Sequence, residues 1–472
     1  MPVSVITIEQ MRQWEQATWA TGQTEEAVIK RVGELVAGRA LRLTERNDLI
    51  LLLAGRGHNG DDARCAGPHL RGRQTEVVEV GDPAASLAPL AGLLAKRPAL
   101  VIDGLFGIGL NRPLGPAWVE LIQSVNASGA PVLAVDVPSG LNADTGEPLG
   151  AAIRAAVTLT LGAPKHGLLR PAAWPFVGRL EVAPDIGLAP CPCESNLQWT
   201  LSSDFRDYPP RRPAGGHKGT FGHLAVFAGS LGYHGAAVLA ARGAQRAQPG
   251  LVTLFTTPPV YLPVASQLQA VMVQQWTPGG RWPEGATALL FGPGLAAPEL
   301  EPDYRAEVAR CWQVSELPVV VDASALDWLP EGPTPPRALR LVTPHPGEAA
   351  RMLKSTSGAV QADRPAALRE LSRRYGGCWV ILKGYQTLVG RSEGNLYVNP
   401  SGNPGLAQGG SGDVLAGYLG GLLAQPALQA DPLTALRFAV WQHGAAADWL
   451  AAHKSNWTVE DLLEVLGEVK AA

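Results

Sequence analysis

Short strand-like runs, some of them continuously apolar, recur along this chain, and most close in a turn holding glycine or aspartate. The first is LILLLAG at residues 49–55. A strand with no polar alternation has no face to offer water, so it must be covered on both sides, as in a parallel sheet. Comparable runs stand at 75–80, 99–103, 131–135 and 157–161 in the first half. In the second half they stand at 221–229, 251–256, 287–291, 318–321, 339–343 and 378–383. Helix-length segments separate most of them, and residues 8–43 read as helix. Strands alternating with helices predict α/β sandwiches around mainly parallel sheets. Such sheets receive ligands at the carboxyl ends of their strands. With 472 residues the chain is too long for one core. Residues 184–219, rich in Pro, Gly and Ser and holding PPRRP and GGHKG, read as the boundary. The expected division is 1–197 and 198–472.

Composition narrows the class of function. Hydrophobic residues make up 46% and charged residues 17%, as in a soluble globular protein. A net charge of -3 provides no basic footprint for nucleic acid. No apolar run is long enough to cross a bilayer, and the N-terminus lacks the basic start and apolar block of a signal peptide. Five cysteines in so long a chain are no disulfide framework. Cys191 and Cys193, flanked by prolines, read as linker residues. The expectation is a cytoplasmic protein with small-molecule partners, no nucleic acid and no membrane. Exposed apolar faces on the N-terminal helices would allow a homo-oligomer.

Chemistry should therefore lie just after the strands. In the first half three strand ends carry glycines with acidic or amide side chains: GRGHNGDDA at 55–63, DGLFGIGLNRPL at 103–114 and DVPSGLNADTG at 136–146. Each alone is an ordinary turn; three together suggest one pocket. The second half holds the most distinctive stretch, GNPGLAQGGSGDVLAG at 402–417. A glycine turn opening a helix presents unpaired N–H groups and the positive end of a dipole, which suits a phosphate. Asp413, at that helix start, is either a plain cap or a base poised to take a hydroxyl proton during phosphoryl transfer.

GGSGD resembles the Gly-x-Gly-Asp anion hole of ribokinase-like small-molecule kinases. The longer string NPGLAQGGSGDVLAG is similar to one branch, the dehydratase domain of the bifunctional NAD(P)H-hydrate repair enzymes. The likeness spans nearly all of 215–470 and carries KGTFGHLAVFAGS, GAA, GPGL, TPHPGE, LKG, the string itself and HGAAAD in order. It implies a ribokinase-like three-layer α/β/α domain with substrate contacts at Ala236, Gly294, His345 and Asp413. It also implies adenine-nucleotide contacts at Lys383, Gly384, Tyr385, Gln386, Thr387 and Gly412. In such enzymes the C6 hydroxyl of hydrated NAD(P)H takes a phosphoryl group, which then leaves as phosphate. Asp413 would be the catalytic base, ADP or ATP the donor, and Mg²⁺ the counter-charge on the moving group. His443, in the last motif, reads as structural.

The first half is similar to the epimerase domain of the same enzymes, which implies a Rossmann-like three-layer sandwich. That likeness implies a K⁺ held by Asn59, Asp103 and Ser139. It places the hydrated nucleotide along His58, Asn59, Gly60, Asp61 and Asp62, and along Gly107, Ile108, Gly109, Leu110, Asn111, Arg112 and Pro113. Asp136 lies close to it as the candidate acid/base. The family's first loop usually reads GxGNNGGDG. Here His58, Asp61 and Ala63 stand in place of Asn, Gly and Gly, so a charge is added and a flexible position lost. GAPKHGL at 162–168 resembles the family's late strand and turn. Two other readings fit the phosphate hole: a vitamin kinase of the hydroxymethylpyrimidine or thiazole type, and a nucleotide-binding regulator without turnover.

Overall fold

Alternate residues of the strand Leu49–Ala54 are buried on opposite faces, as a period of two requires. Ile50 and Leu52 pack with the helices Glu25–Leu43 and His58–Ala66. Leu51 and Leu53 pack with Pro83–Leu94 and Pro116–Ala127. This is the centre of the first of two compact units in the computed structural model, which describes every residue except 281, 299 and 472. Val3–Ser195 forms one unit, and Asn196–Ala472 with Met1–Pro2 forms the other.

The sheet of Val3–Ser195 has six parallel strands. Their order is Gln74–Glu79, Leu49–Ala54, Leu100–Gly104, Val132–Val135, Val157–Leu161 and Arg179–Ala183. From Leu49–Ala54 the chain goes first to one neighbour and then to the other. The switch point thus lies between Leu49–Ala54 and Leu100–Gly104, where such sheets open a crevice. Residues 8–43 form two helices rather than one, Ile8–Trp19 and Glu25–Leu43. Gly22, at φ +90°, turns the chain out of the first, and Thr24 caps the second by accepting from the Ala27 N–H at 3.3 Å. The stretch 55–63 is also not a loop throughout: helix His58–Ala66 begins at its fourth residue.

In the second unit, parallel strands run in the order Met272–Gln275, Leu251–Thr256, His223–Phe227, Ala288–Phe291, Val319–Val321, Arg340–Val342 and Trp379–Leu382. Leu388–Gly390 and Leu396–Val398 extend the sheet antiparallel. Here the switch point lies between His223–Phe227 and Ala288–Phe291. Residues 196–205 are not spacer, because Leu197–Trp199 pairs with Leu396–Val398 and both Trp199 and Phe205 are buried. Helices Ser411–Leu423 and His234–Arg246 approach through small residues. A Cβ on Gly417 would stand 1.9 Å from the Ala240 carbonyl oxygen, and one on Gly243 would stand 2.4 Å from that of Val414.

Candidate functional site

Asp413 is the third residue of the helix Ser411–Leu423, and Gly410 turns the chain into that helix at φ +94°. A side chain at 410 would be strained by this angle and would also meet Leu239 at 2.4 Å. The N–H groups of Gly409, Gly410, Gly412 and Asp413 have no acceptor among the described residues. They are a set of donors at the positive end of a helix, the polarity of a phosphate cradle. A buried histidine holds it from behind, and a half-buried aspartate braces the chain that leads into it. The His443 Nε2–H donates to the Ser411 carbonyl at 3.1 Å. Burial pushes this imidazole down to about 4, so it is neutral at physiological pH. Asp448, in the same HGAAAD motif, accepts from the Gly402 N–H at 3.0 Å and from Asn403 Nδ2 at 3.1 Å.

Facing the cradle is Lys383, just past the strand Trp379–Leu382. Its Nζ lies 2.8 Å from Asp322 Oδ1 and 3.8 Å from Glu348 Oε2. Burial works against this cation, but the carboxylates of Asp322, Glu348 and Asp413 outweigh it and hold its pKa above the ordinary value. Asp322 ends its own apolar run and also accepts from Thr343 Oγ1 at 2.6 Å. A Cβ at Gly412 would stand 3.4 Å from Lys383 Nζ, so glycine leaves the space between lysine and cradle open. Burial, then repulsion from Asp322 and Glu348 against the pull of Lys383, pushes Asp413 up to about 7. Its carboxylate makes no hydrogen bond among the described residues. A partly buried, unengaged carboxylate that titrates near neutrality can take a proton from a bound hydroxyl.

The other expected contacts fall around this centre. His345 caps the helix Pro346–Met352, its Nδ1 accepting from the N–H groups of Gly347 at 3.0 Å and Glu348 at 3.3 Å. Its Nε2 is thereby the protonated nitrogen, and lies 3.5 Å from Glu348 Oε1. Ala236 and Gly294 meet at the switch point: a Cβ on Gly294 would be 2.9 Å from that of Ala236. Ser230 pins this turn by donating to the Gly294 carbonyl at 2.6 Å. Beyond Lys383, Gly384 at φ +129° and Gln386 at φ +53° form a tight turn closed by Thr387 Oγ1 on the Gly384 carbonyl at 2.9 Å. Gln386 Nε2 is buried with no partner among the described residues, whereas Tyr385 is exposed. Sequence reasoning missed Asp322, Glu348, Ser230 and Asp448. Asp322 and Ser230 follow apolar strand runs, and Glu348 and Asp448 lie inside quoted motifs, so a signal was present.

In Val3–Ser195 the crevice at the switch point gathers Asn59, Asp103 and Ser139. Asp103 is fully buried and accepts from the Ser139 N–H at 2.8 Å, from Ser139 Oγ at 2.6 Å and from the Leu105 N–H at 3.2 Å. Burial pushes this carboxyl up to about 6, with those donors pulling it back. Asn59 Nδ2 donates to the Phe106 carbonyl at 3.0 Å, and the Phe106 N–H to Ser139 Oγ at 2.8 Å. Gly107 lies against Asn59, with 3.4 Å from a Cβ there to Asn59 Oδ1. Further along, Gly109, Asn111, Arg112 and Pro113 are exposed, Leu110 is half-buried, and Ile108 packs on the cluster of Ile6, Met11, Trp14 and Ala163.

Asp136 ends the strand Val132–Val135 at φ +64° and is buried. A non-glycine residue held there marks a position whose geometry its surroundings enforce. Its Oδ1 accepts from Thr160 Oγ1 at 3.1 Å, from the Leu161 N–H at 3.0 Å and from Lys165 Nζ. Lys165 is fully buried and also donates to Thr160 Oγ1 at 3.2 Å and the Leu161 carbonyl at 2.9 Å. This lysine, inside GAPKHGL, was not singled out by sequence.

The chain matches the family model described as NAD(P)H-hydrate dehydratase over residues 224–467, and that described as YjeF-related protein N-terminus over 82–167. It is 36% identical to the bifunctional NAD(P)H-hydrate repair enzyme of Gloeobacter violaceus, over 98% of this chain and 97% of that protein. The chain belongs to the bifunctional NAD(P)H-hydrate repair enzymes. The repair enzyme of Coxiella burnetii is 33% identical, over 93% of each chain. Among solved structures, the ADP/ATP-dependent NAD(P)H-hydrate dehydratase of Bacillus subtilis, co-crystallised with ATP and Mg²⁺, is 30% identical. It covers 57% of this chain and 95% of its own, with a TM-score of 0.51.

Two of the three altered positions of this repair enzyme's first loop, Asp61 and Ala63, have physical accommodations. Asp61 pairs with Arg64 at 2.7 Å, and Arg64 also grips Glu79, so the added charge is offset in part. Residue 63 lies within a helix, where no glycine-only angle is needed, and Ala63 is buried against Gly104.

Proposed function

We propose that Val3–Ser195 interconverts the R and S hydrates of NAD(P)H and that Asn196–Ala472 returns the S hydrate to NAD(P)H at the expense of an adenine nucleotide. The observation that carries this is Asp413, an unengaged carboxylate beside four unpaired N–H donors and Lys383. In this reading the nucleotide phosphates occupy the cradle, with Lys383 as a point charge along them and residues 384–387 beside them. Ala236, Gly294 and His345 border the hydrated nicotinamide. Asp413 takes the C6 hydroxyl proton as the phosphoryl group arrives. Phosphate then departs, and loss of a C5 proton regenerates the dihydropyridine. Asp322 or Glu348 would hold Mg²⁺, an ion commonly bound by one or two carboxylates together with substrate phosphates; it would supply charge neutralisation.

For the first unit, the donor set around Phe106 is entirely oxygen: Asn59 Oδ1, Asp103, Ser139 Oγ and the Phe106 carbonyl. That chemistry suits a hard monovalent ion such as K⁺, which would supply a fixed positive charge beside the substrate. Asp136 would exchange protons with the C6 hydroxyl and with water. The vitamin-kinase and regulator readings leave this unit without a role, whereas relatives of one family span both. The test is Asp413→Asn: nucleotide binding should persist while dehydration of the S hydrate is lost. Retention of dehydration would remove Asp413 from the chemistry.

A further inference from the structure

Epimerisation at C6 needs two proton-handling groups. The C6–O bond breaks with its electron pair leaving on oxygen, which must be protonated to depart as water, while the N1 lone pair forms N1=C6. Water then adds to the other face and gives up a proton. Asp136, with Lys165 on its Oδ1, is a carboxylate already paired with a cation, suited to accept that proton.

We propose that Asp62 is the acid that protonates the departing hydroxyl, with Asp136 as its base; this rests on the epimerase reading above. Asp62 lies one turn after Asn59 on the helix His58–Ala66, and residues three apart share a helix face. Asn59 reaches the Phe106 carbonyl in the crevice, so Asp62 faces the same strand ends. It is 6% exposed, with no hydrogen bond or ion pair among the described residues. On its own helix, Asp61 is turned to Arg64, and His58 lies 3.6 Å from Glu25 of the helix Glu25–Leu43. Cys65 follows Asp62 by one turn and feels its charge, Glu26 of Glu25–Leu43 acts on Cys65, Glu15 of Ile8–Trp19 adds to the negative charge around Asp62, and Asp103 is satisfied by Ser139 and Leu105. Burial and the negative charges of Asp136, Asp61 and Glu15 push Asp62 up to about 8. Two carboxyl groups in one site, one with a cation and one without, divide into base and acid.

The step balances. Asp62 gives its proton to the leaving water, Asp136 takes one from the incoming water, and a return transfer through solvent resets the pair. In the opposite direction the roles exchange.

The experiment follows the R hydrate alone, without nucleotide, so the second unit has no co-substrate. The full chain should epimerise it with a rate that falls as pH rises through about 8, the range in which Asp62 ionises. Asp62→Asn should lower kcat by about 100-fold or more with KM little changed, and should lack that alkaline limb. Circular dichroism and thermal melting check that the variant folds; if it does not, the wild-type limb remains the test, and its absence overturns the proposal. Wild-type turnover lost in Asp136→Asn but kept in Asp62→Asn overturns Asp62 alone. A wild type that never epimerises overturns the epimerase reading, and this proposal with it.

Discussion

Asp413 and Lys383 share one electrostatic problem. Each carries a charge that burial disfavours, and each is the other's relief. Raised to about 7, Asp413 is protonated in acid and becomes a competent base only above that range. Dehydration should therefore rise with pH through about 7 and level off. Because Lys383 pulls this carboxyl downward, Lys383→Met should move the rising limb to higher pH as well as weaken nucleotide binding. A pH–rate profile of kcat on the two proteins reads both effects, and an unmoved limb would assign the titration to another group. His443 shows the opposite strategy: driven neutral by burial, it spends its proton on the Ser411 carbonyl and anchors the cradle rather than reacting.

At the scale of elements, the cradle depends on two helices that touch backbone to backbone. The Ser411–Leu423 helix can sit at its depth only because Gly417 and Gly243 have no side chains there. Gly417→Val should cost about 1–3 kcal/mol from overpacking, read as a lower denaturation midpoint of the second unit. Gly60→Ala should act alike in the first unit, since its Cβ would stand 2.0 Å from the Gly55 carbonyl oxygen and would displace Asn59. The buried strands were legible because a parallel strand covered on both faces is apolar at every residue, as in Leu49–Ala54 or Val319–Val321. Arg179–Ala183 and Leu396–Val398 escaped notice because they are short or carry polar residues. The break at Gly22 was missed although residues 21–26, TGQTEE, interrupt the apolar positions on either side. Asp413, Asp103 and Ser139 were legible from their glycine-rich strand ends, whereas Lys165 was hidden, its burial set by a fold that brings it under Asp136.

For the whole molecule, the two chemistries are complementary. A dehydratase that handles one epimer strands the other, and a unit that exchanges them completes the repair. Replacing K⁺ by Li⁺ should slow interconversion of the R and S hydrates and leave dehydration of pure S hydrate unchanged, since the oxygen donors around Phe106 lie in the first unit only. Separate assays of the two steps distinguish this from a general salt effect, which would slow both.

The most direct test gives the protein an equal mixture of R and S hydrates with Mg²⁺ and ADP or ATP, and follows both epimers to completion. The expected course is a fast loss of S, then loss of R at the epimerisation rate, with NAD(P)H recovered in full. No recovery of NAD(P)H, or a stable phosphorylated product, would contradict the account; a plateau with R left over would contradict its first half.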